Sequence, residues 1–269
     1  MKRVVMFSGG ICSWAAAKRT VERHGTDDVV LLFTDTKIED PDLYRFIEEG
    51  AANVGAPLVW VADGRTPWEV FRDVKILGNS RIDPCSRVLK REPAEKWLKE
   101  NCDPADTEIV FGIAWDEIHR FDDNGERGVK NRYRRLGWPN VSAPMTEAPY
   151  MTKAEMIAWL QAEDLFLPRL YSLGFAHNNC GGGCVKAGKG HFAHLLRALP
   201  EVYAEWEANE AAFNADRPDK RPQTILRDEI TGQPTKPLSL KELRQRIESG
   251  GQIDMFEIGG CGCFLDDAA

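Results

Sequence analysis

The 269-residue sequence lacks any apolar run of membrane-spanning length. The longest near its start is VVLLF, residues 29–33, against the roughly 20 residues that a spanning helix needs. It also lacks an apolar stretch of signal-peptide length after MKRVV, so a cytoplasmic protein with no membrane partner is expected. Basic charge is not in excess: 35 Lys and Arg stand against 42 Asp and Glu, a net charge of −7. That disfavours a globally basic nucleic-acid binder. One basic stretch remains, VKNRYRRLGW, with Lys130, Arg132, Arg134 and Arg135. It reads either as a solvated loop or as an anion-binding loop over a nucleotide. There is no internal repeat and no low-complexity segment. What is present, 43% hydrophobic and 29% charged residues, predicts a packed soluble core. The length fits one large domain, or one domain with a sizeable appendage.

The first half alternates strand and helix signals. RVVMFS, DVVLLFTD, PLVWVAD and TEIVFGI read as strands. Their apolar runs do not alternate with polar residues, as in a parallel sheet buried on both faces. Between them lie helices over Cys12 to Arg23, DPDLYRFIEEGAANVG, TPWEVFRDV and PCSRVLKREPAEKWLKEN, the last interrupted or begun near Pro93. This pattern predicts an α/β fold with a doubly wound, mostly parallel sheet. In the second half strand signals thin out and helices follow, with Thr152 and Glu155, then Ser239 and Glu242, spaced as capping boxes. The expected division is an α/β nucleotide-binding domain over 1–145. A mainly helical, cysteine-bearing extension with a tail follows over 146–269.

Ser8, Gly9, Gly10 and Ser13 fall between the first strand and the first helix. Glycines there let backbone N–H groups approach an anion, and a helix N-terminus adds its dipole. The seven cysteines include two glycine-spaced pairs, CGGGC at Cys180 and Cys184 and CGC at Cys261 and Cys263. Such pairs in a cytosolic chain point to a metal or redox site rather than to disulfides. Thiolates serve both zinc and iron–sulfur clusters. One arrangement places these four cysteines around zinc.

SGGICS resembles the SGGxDS loop of the PP-loop ATP pyrophosphatases. Further segments resemble the phosphoadenosine phosphosulfate (PAPS) reductase family within that superfamily: LLFTDTKIEDPDLYRFIEE, CSRVLKREP, GIAWDEIHR, and APYMTKAEMIAWLQAEDLFLPRLYSLGFAHNNCGGGC. They fall in the family's order over residues 3 to 188. The resemblance implies a PP-loop, Rossmann-like fold and an adenine nucleotide bound by Ser8, Gly9, Gly10, Ser13, Asp35, Thr36, Lys90, Arg91 and Arg120. It implies a [4Fe–4S] cluster on Cys85, Cys180, Cys184 and Cys261, with Zn²⁺ as the alternative, and a nucleophilic tail cysteine, Cys263. The sequence departs from the family in three places. The pair is C-x-x-x-C rather than C-x-x-C, Cys85 is followed by Ser86 rather than by a second cysteine, and no His follows the tail cysteines.

Cys12 stands where the ATP-cleaving loop carries an acid, and a neutral thiol is a poor Mg²⁺ partner. The expected activity is therefore thiol-dependent reduction of a sulfonucleotide such as PAPS or APS, within sulfur metabolism. A thioredoxin- or glutaredoxin-like thiol carrier would be the partner. The alternative is an ATP-dependent enzyme that adenylates a nucleoside or nucleic-acid base for sulfur or nitrogen transfer, with Mg²⁺ held by Asp116 or Glu117. A third reading is a non-catalytic nucleotide-binding zinc protein. Monomer and homo-oligomer both stay open.

Overall fold

Val4 and Val5 are neighbours on one strand, point to opposite faces, and are both fully buried. A strand buried on both sides needs helices on both sides, and the fold supplies them. The computed structural model describes residues 1–122, 125, 127–228, 235–254, 257 and 259. Strands β1 (Lys2–Met6), β2 (Val29–Asp35), β3 (Leu58–Ala62), β4 (Thr107–Phe111) and β5 (Asn140–Ser142) form one parallel sheet in the order β3-β2-β1-β4-β5. Val5 lies opposite Leu31 on one side and Val110 on the other. The chain winds outward from β1 to β3, then returns to place β4 on the other flank of β1. Such a reversal opens a crevice beyond the carboxyl ends of the strands.

Helices α1 (Ile11–His24) and α2 (Pro41–Val54) cover one face, joined there by the later helix at Lys153–Ala162. Val5, Phe7, Trp14, Leu31, Phe46 and Met156 meet in that core. Buried Arg19 of α1 donates to the carbonyls of Pro144 and Pro149, both at 2.8 Å, which ties α1 to the segment beyond β5. The opposite face is covered after α3 (Pro67–Val74) by α4 (Glu92–Asn101), and after the single turn α5 (Ile118–Phe121) by α6 (Val129–Arg135). Val4, Met6, Leu32, Leu98 and Tyr133 meet there.

The segment read as a helix interrupted near Pro93 runs without a break, through a π-helical turn, Ser86–Arg91, into α4. Proline offers no N–H and crowds the carbonyl four residues back, and the widened turn accommodates it. The basic stretch is helical rather than a loop. Its Lys130 pairs with Asp122 at 2.7 Å and its Arg132 with Glu95 at 2.5 Å.

Beyond α7 (Lys153–Ala162) and the short α8 (Arg169–Ser172), helices α9 (Lys189–Ala198), α10 (Pro200–Ala215) and α11 (Leu240–Glu248) pack with an antiparallel pair, β6 (Leu226–Asp228) and β7 (Lys236–Leu238). Thr66, Thr152 and Ser239 each close a capping box at the starts of α3, α7 and α11. The C-terminal helices dock on α3, where Trp68 and Trp206 meet edge to face at 4.9 Å. Glu210 of α10 is 3% exposed. Its carboxyl accepts the backbone N–H of Ile225 at 2.9 Å and of Leu240 at 2.6 Å, joining the start of β6 to the start of α11.

Candidate functional site

The chain leaves β1, turns through Ser8–Gly10 and enters α1, whose first turn holds no acidic residue and whose N-terminus has no side-chain cap. The Ser13 hydroxyl donates to the Gly10 carbonyl at 2.8 Å. Two side chains from far along the chain brace the turn. Asn178 Nδ2 donates to the Gly9 carbonyl at 3.3 Å, and Ile11 N–H donates to the Tyr171 hydroxyl at 3.4 Å. Gly112, just past β4, faces the same turn. A Cβ there would lie 2.6 Å from Ser13 N and against Ser13 Cα. The helix N-terminus and the end of β4 therefore meet backbone to backbone.

Two cavities open from this turn. The first, about 80 Å³, has apolar walls from Met6, Phe33, Phe111 and Val129 and polar ones from Ser8 and Lys90. The second, about 300 Å³, contains Cys12, Asp116, Glu117, Lys153, His177 and Asn178 in its wall. Ser8, Ser13, Gly112, Arg120 and Asn179 line both. Arg120 is paired with Glu117 at 2.7 Å. Burial, then the charge of Glu117, pushes the Cys12 thiol up to about 11, so it is neutral at physiological pH and is no ready nucleophile. A carboxylate in its place would add charge beside Asp116 and Glu117. Cys12→Asp is expected to weaken binding of an anionic nucleotide in the absence of divalent cation by about tenfold, while Cys12→Ala leaves it near wild type. Isothermal titration with both variants checks this.

Cys85, Cys180 and Cys184 line a third, smaller pocket together with Lys90 and Lys186. The Cys180 thiol is held well above its usual range, first by its hydrogen bond with Cys184 and then by burial. Among the described residues no three metal-ligating side chains converge closely enough to hold one metal ion. His191 Nε2 donates to the Gly182 carbonyl at 2.7 Å and so steadies the turn between the two thiols. Gly183 packs on the Trp206 indole so tightly that a Cβ would lie 2.7 Å from Cζ2. This close approach requires glycine at that place in CGGGC.

The wall between the first cavity and the thiol pocket is shared. Lys90 lines both. Its ammonium stands 3.6 Å from buried Glu39. Glu39 lines the first cavity, accepts the Thr36 hydroxyl at 2.9 Å and accepts the backbone N–H of Cys180. The described tail also reaches this region. Gly259 forms an antiparallel bridge with Ala187, three residues past Cys184, and Glu257 pairs with Lys189 at 3.0 Å.

Of the residues singled out in the sequence, Ser8, Gly10, Ser13 and Arg120 line the cavities at the turn, and Lys90 joins the first cavity to the thiols. Gly9 contributes its carbonyl to Asn178. Asp35 lies at the end of β2 but is engaged locally. It accepts Lys37 N–H at 2.9 Å, Lys37 Nζ at 2.8 Å and the Tyr44 hydroxyl at 2.8 Å. Burial works to raise its pKa, and these bonds outweigh it, holding the carboxyl below its usual value. Thr36 lines the thiol pocket, and Arg91 is buried but lines none of the three cavities. Cys261 and Cys263 lie outside the described residues. Glu39, Lys153, Tyr171, Asn178 and Asn179 were not singled out. The only sequence signal for the last two was their place in HNNC, directly before the first paired cysteine.

No protein-family model matches the chain, and no curated protein matches it. Among solved structures, it is similar to a phosphoadenylyl-sulfate (PAPS) reductase from Candida auris in a phosphate complex. The identity is 16% and the TM-score 0.45, covering 66% of this chain and 80% of that one. It is also similar to an NH3-dependent NAD synthetase from Campylobacter jejuni subsp. jejuni in complex with nitrate. There the identity is 12% and the TM-score 0.39, covering 82% of this chain and 88% of that one.

Proposed function

We propose that this chain is an adenine-nucleotide-dependent enzyme of the PP-loop type, and that its reaction is thiol-dependent reduction of a sulfonucleotide. The observation that carries the reading is the shared wall. Lys90 and Glu39 join the cavity at the glycine turn to the pocket of Cys85, Cys180 and Cys184, so a group held by these thiols would lie beside the bound nucleotide. The apolar walls of the first cavity suit an adenine ring. The bare N-terminus of α1, the Ser8 and Ser13 hydroxyls, Lys90 and Arg120 suit its anionic end. The neutral Cys12 keeps a carboxylate out of the loop, so an anion fits there without a cation to screen it.

The donor set fits an iron–sulfur cluster. Three thiols, Cys85, Cys180 and Cys184, line one pocket beside Lys90, and thiolates are the donors that such a cluster takes. Cys85, Cys180 and Cys184 would be ligands. Cys261, two residues beyond the Gly259 bridge, would be the fourth. When bound, a [4Fe–4S] cluster would place a thiolate-ligated inorganic group beside Lys90. In the reaction, the thiolate of Cys263 attacks the sulfur of the bound sulfonucleotide. The bond from sulfur to the phosphate oxygen breaks, the nucleotide leaves, and an S-sulfocysteine forms. One thiol of a thioredoxin- or glutaredoxin-like carrier then attacks the cysteine sulfur, releasing sulfite and forming a mixed disulfide, and the carrier's second thiol breaks that disulfide, leaving the carrier oxidised and Cys263 free. Lys90 and Arg120 hold the departing anion.

The second cavity favours a second reading. Its volume, about 300 Å³, leaves space for an acceptor beside the nucleotide, and Asp116 and Glu117 could hold Mg²⁺ for ATP-dependent adenylation of that acceptor.

Anaerobic purification with iron and zinc analysis, followed by incubation with APS, PAPS or ATP, separates the readings. Iron with sulfite release from APS or PAPS, dependent on added thiol carrier, supports the reductase. Pyrophosphate from ATP supports adenylation and rules the reductase out. Zinc with neither product supports the reading as a non-catalytic zinc protein.

A further inference from the structure

Glycine is called for where a backbone turns left-handed or where another group comes too close for a side chain. Gly188, at the start of α9, has φ of −92°, open to any residue, so its conformation does not call for glycine. A close approach does, and the chain's own tail makes it. A Cβ on Gly188 would lie 2.2 Å from the Glu257 carbonyl oxygen. That oxygen accepts the Gly190 N–H at 2.9 Å, one of the amides that the first turn of a helix leaves without an internal partner. Gly259 fits the same place from the tail's side. Its φ is +70°, and a Cβ there would lie 2.5 Å from the Lys186 carbonyl oxygen and 2.6 Å from Gly188 N.

A charged contact reinforces this seat. Lys189 is 8% exposed, and its ammonium stands 3.0 Å from the Glu257 carboxylate and 3.4 Å from that of Asp228 on β6. Arg246 of α11 also holds Asp228, at 3.0 Å. Earlier in the tail, Ile253 packs against the core of the C-terminal helices, and Glu257 N–H donates to the Asp254 carbonyl at 3.3 Å. The seat adjoins the thiols. Lys186, which faces Gly259, also lines the pocket of Cys85, Cys180 and Cys184.

We infer that Gly188, Lys189 and Gly190 are positioning residues, which seat the tail at Glu257 and Gly259 and so tether its cysteines beside the thiol pocket. Measured from Gly259, chain length alone allows Cys261 about 7 Å and Cys263 about 14 Å. A thiol on so short a tether meets its target at a high effective concentration, which an arm free from α11 onward would not give it. The role of Cys263 rests on the reductase reading; the seat stands without it.

The test is hydrogen exchange at the Gly190 amide of the full-length protein, read by mass spectrometry with fragmentation, alongside kcat and KM for sulfite release from APS or PAPS. The Gly190 amide is expected to be protected. Gly188→Ala should speed its exchange about tenfold or more by displacing Glu257, with the amides of residues 195–198, later in α9, unchanged. Lys189→Met removes the charged contact and should speed it about 2- to 5-fold. Glu257→Gln should do the same, and the two together no more than either alone. Arg246→Leu, which leaves the tail's contacts in place, should not change it; an equal effect there would reduce Lys189 to a structural role. Gly188→Ala should lower kcat about 10- to 100-fold with KM unchanged, since no described tail residue lines the two cavities at the turn. An unprotected Gly190 amide, or one indifferent to both Gly188→Ala and Lys189→Met, overturns the seat. Faster exchange with unchanged kcat overturns its positioning role. If the wild-type protein releases no sulfite, the reductase reading fails, and exchange at Gly190 still judges the seat.

Discussion

Gly112→Ala is expected to lower nucleotide affinity by about tenfold and to cost about 1–3 kcal/mol of stability through overpacking. The added methyl would meet the backbone of Ser13 and Cys12, not the flexible end of a side chain. Relief then requires β4 or the first turn of α1 to move, and either shift carries the helix N-terminus away from the anion. Gly10→Ala is the matched control. Gly10 has φ of −90°, and its Cβ would meet only the Tyr171 hydroxyl, at 3.5 Å, and Ser8 Oγ, at 3.7 Å. Its stability should stay within about 1 kcal/mol of wild type. Urea denaturation and nucleotide titration of both variants check the pair. Equal behaviour of the two would contradict the backbone contact at Gly112.

The second large effect lies far from the cavities, at Glu210. Burial raises its carboxyl to about 7, outweighing the backbone N–H bonds from Ile225 and Leu240. A carboxyl raised in the folded state favours folding when protonated. Its contribution is full below the unfolded value of about 4.5 and is lost as pH rises through about 7. The span is on the order of 3 kcal/mol, so the protein should denature at lower urea at pH 8 than at pH 5. Glu210→Gln should flatten that slope. It should also lower stability at acid pH, because its NH2 turns a donor toward one of two backbone donors. Glu210→Ala should cost about 2–6 kcal/mol by leaving two buried N–H groups unpaired. A pH slope unchanged in Glu210→Gln would assign the titration to another group.

Sequence periodicity was sufficient for the four longer strands of the sheet, β1 to β4. VVLLF has no polar alternation because β2 is covered on both faces, and that property is written in composition alone. The capping boxes at Thr152 and Ser239 were equally local, each a hydroxyl and a glutamate three residues apart. β5 was not legible: three residues, half-buried, with polar ends. The pair β6 and β7 was also missed, since each strand has only three residues and one contains Pro237. At the site, the glycine turn announced itself, but its braces did not. Asn178 lies 169 residues from the Gly9 carbonyl it holds, and Glu39 reaches Cys180 across 141 residues. Nothing in the neighbourhood of either residue encodes that meeting. Cys12 was visible as a missing acid, whereas its high pKa depends on its burial and then on Glu117, both supplied by the fold.

The wall formed by Lys90 and Glu39 has a thermodynamic consequence. An anion that draws Lys90 toward the first cavity loosens its hold on Glu39, and Glu39 carries the N–H of Cys180. Two binding equilibria that share such an element are linked, and linkage is symmetric. If the thiols hold a metal as proposed, whatever factor a nucleotide applies to metal affinity there, the metal applies to nucleotide affinity. On the proposed reading, the metal content of the protein would set how tightly it retains its nucleotide, and the nucleotide would in turn bear on whether the thiols stay loaded.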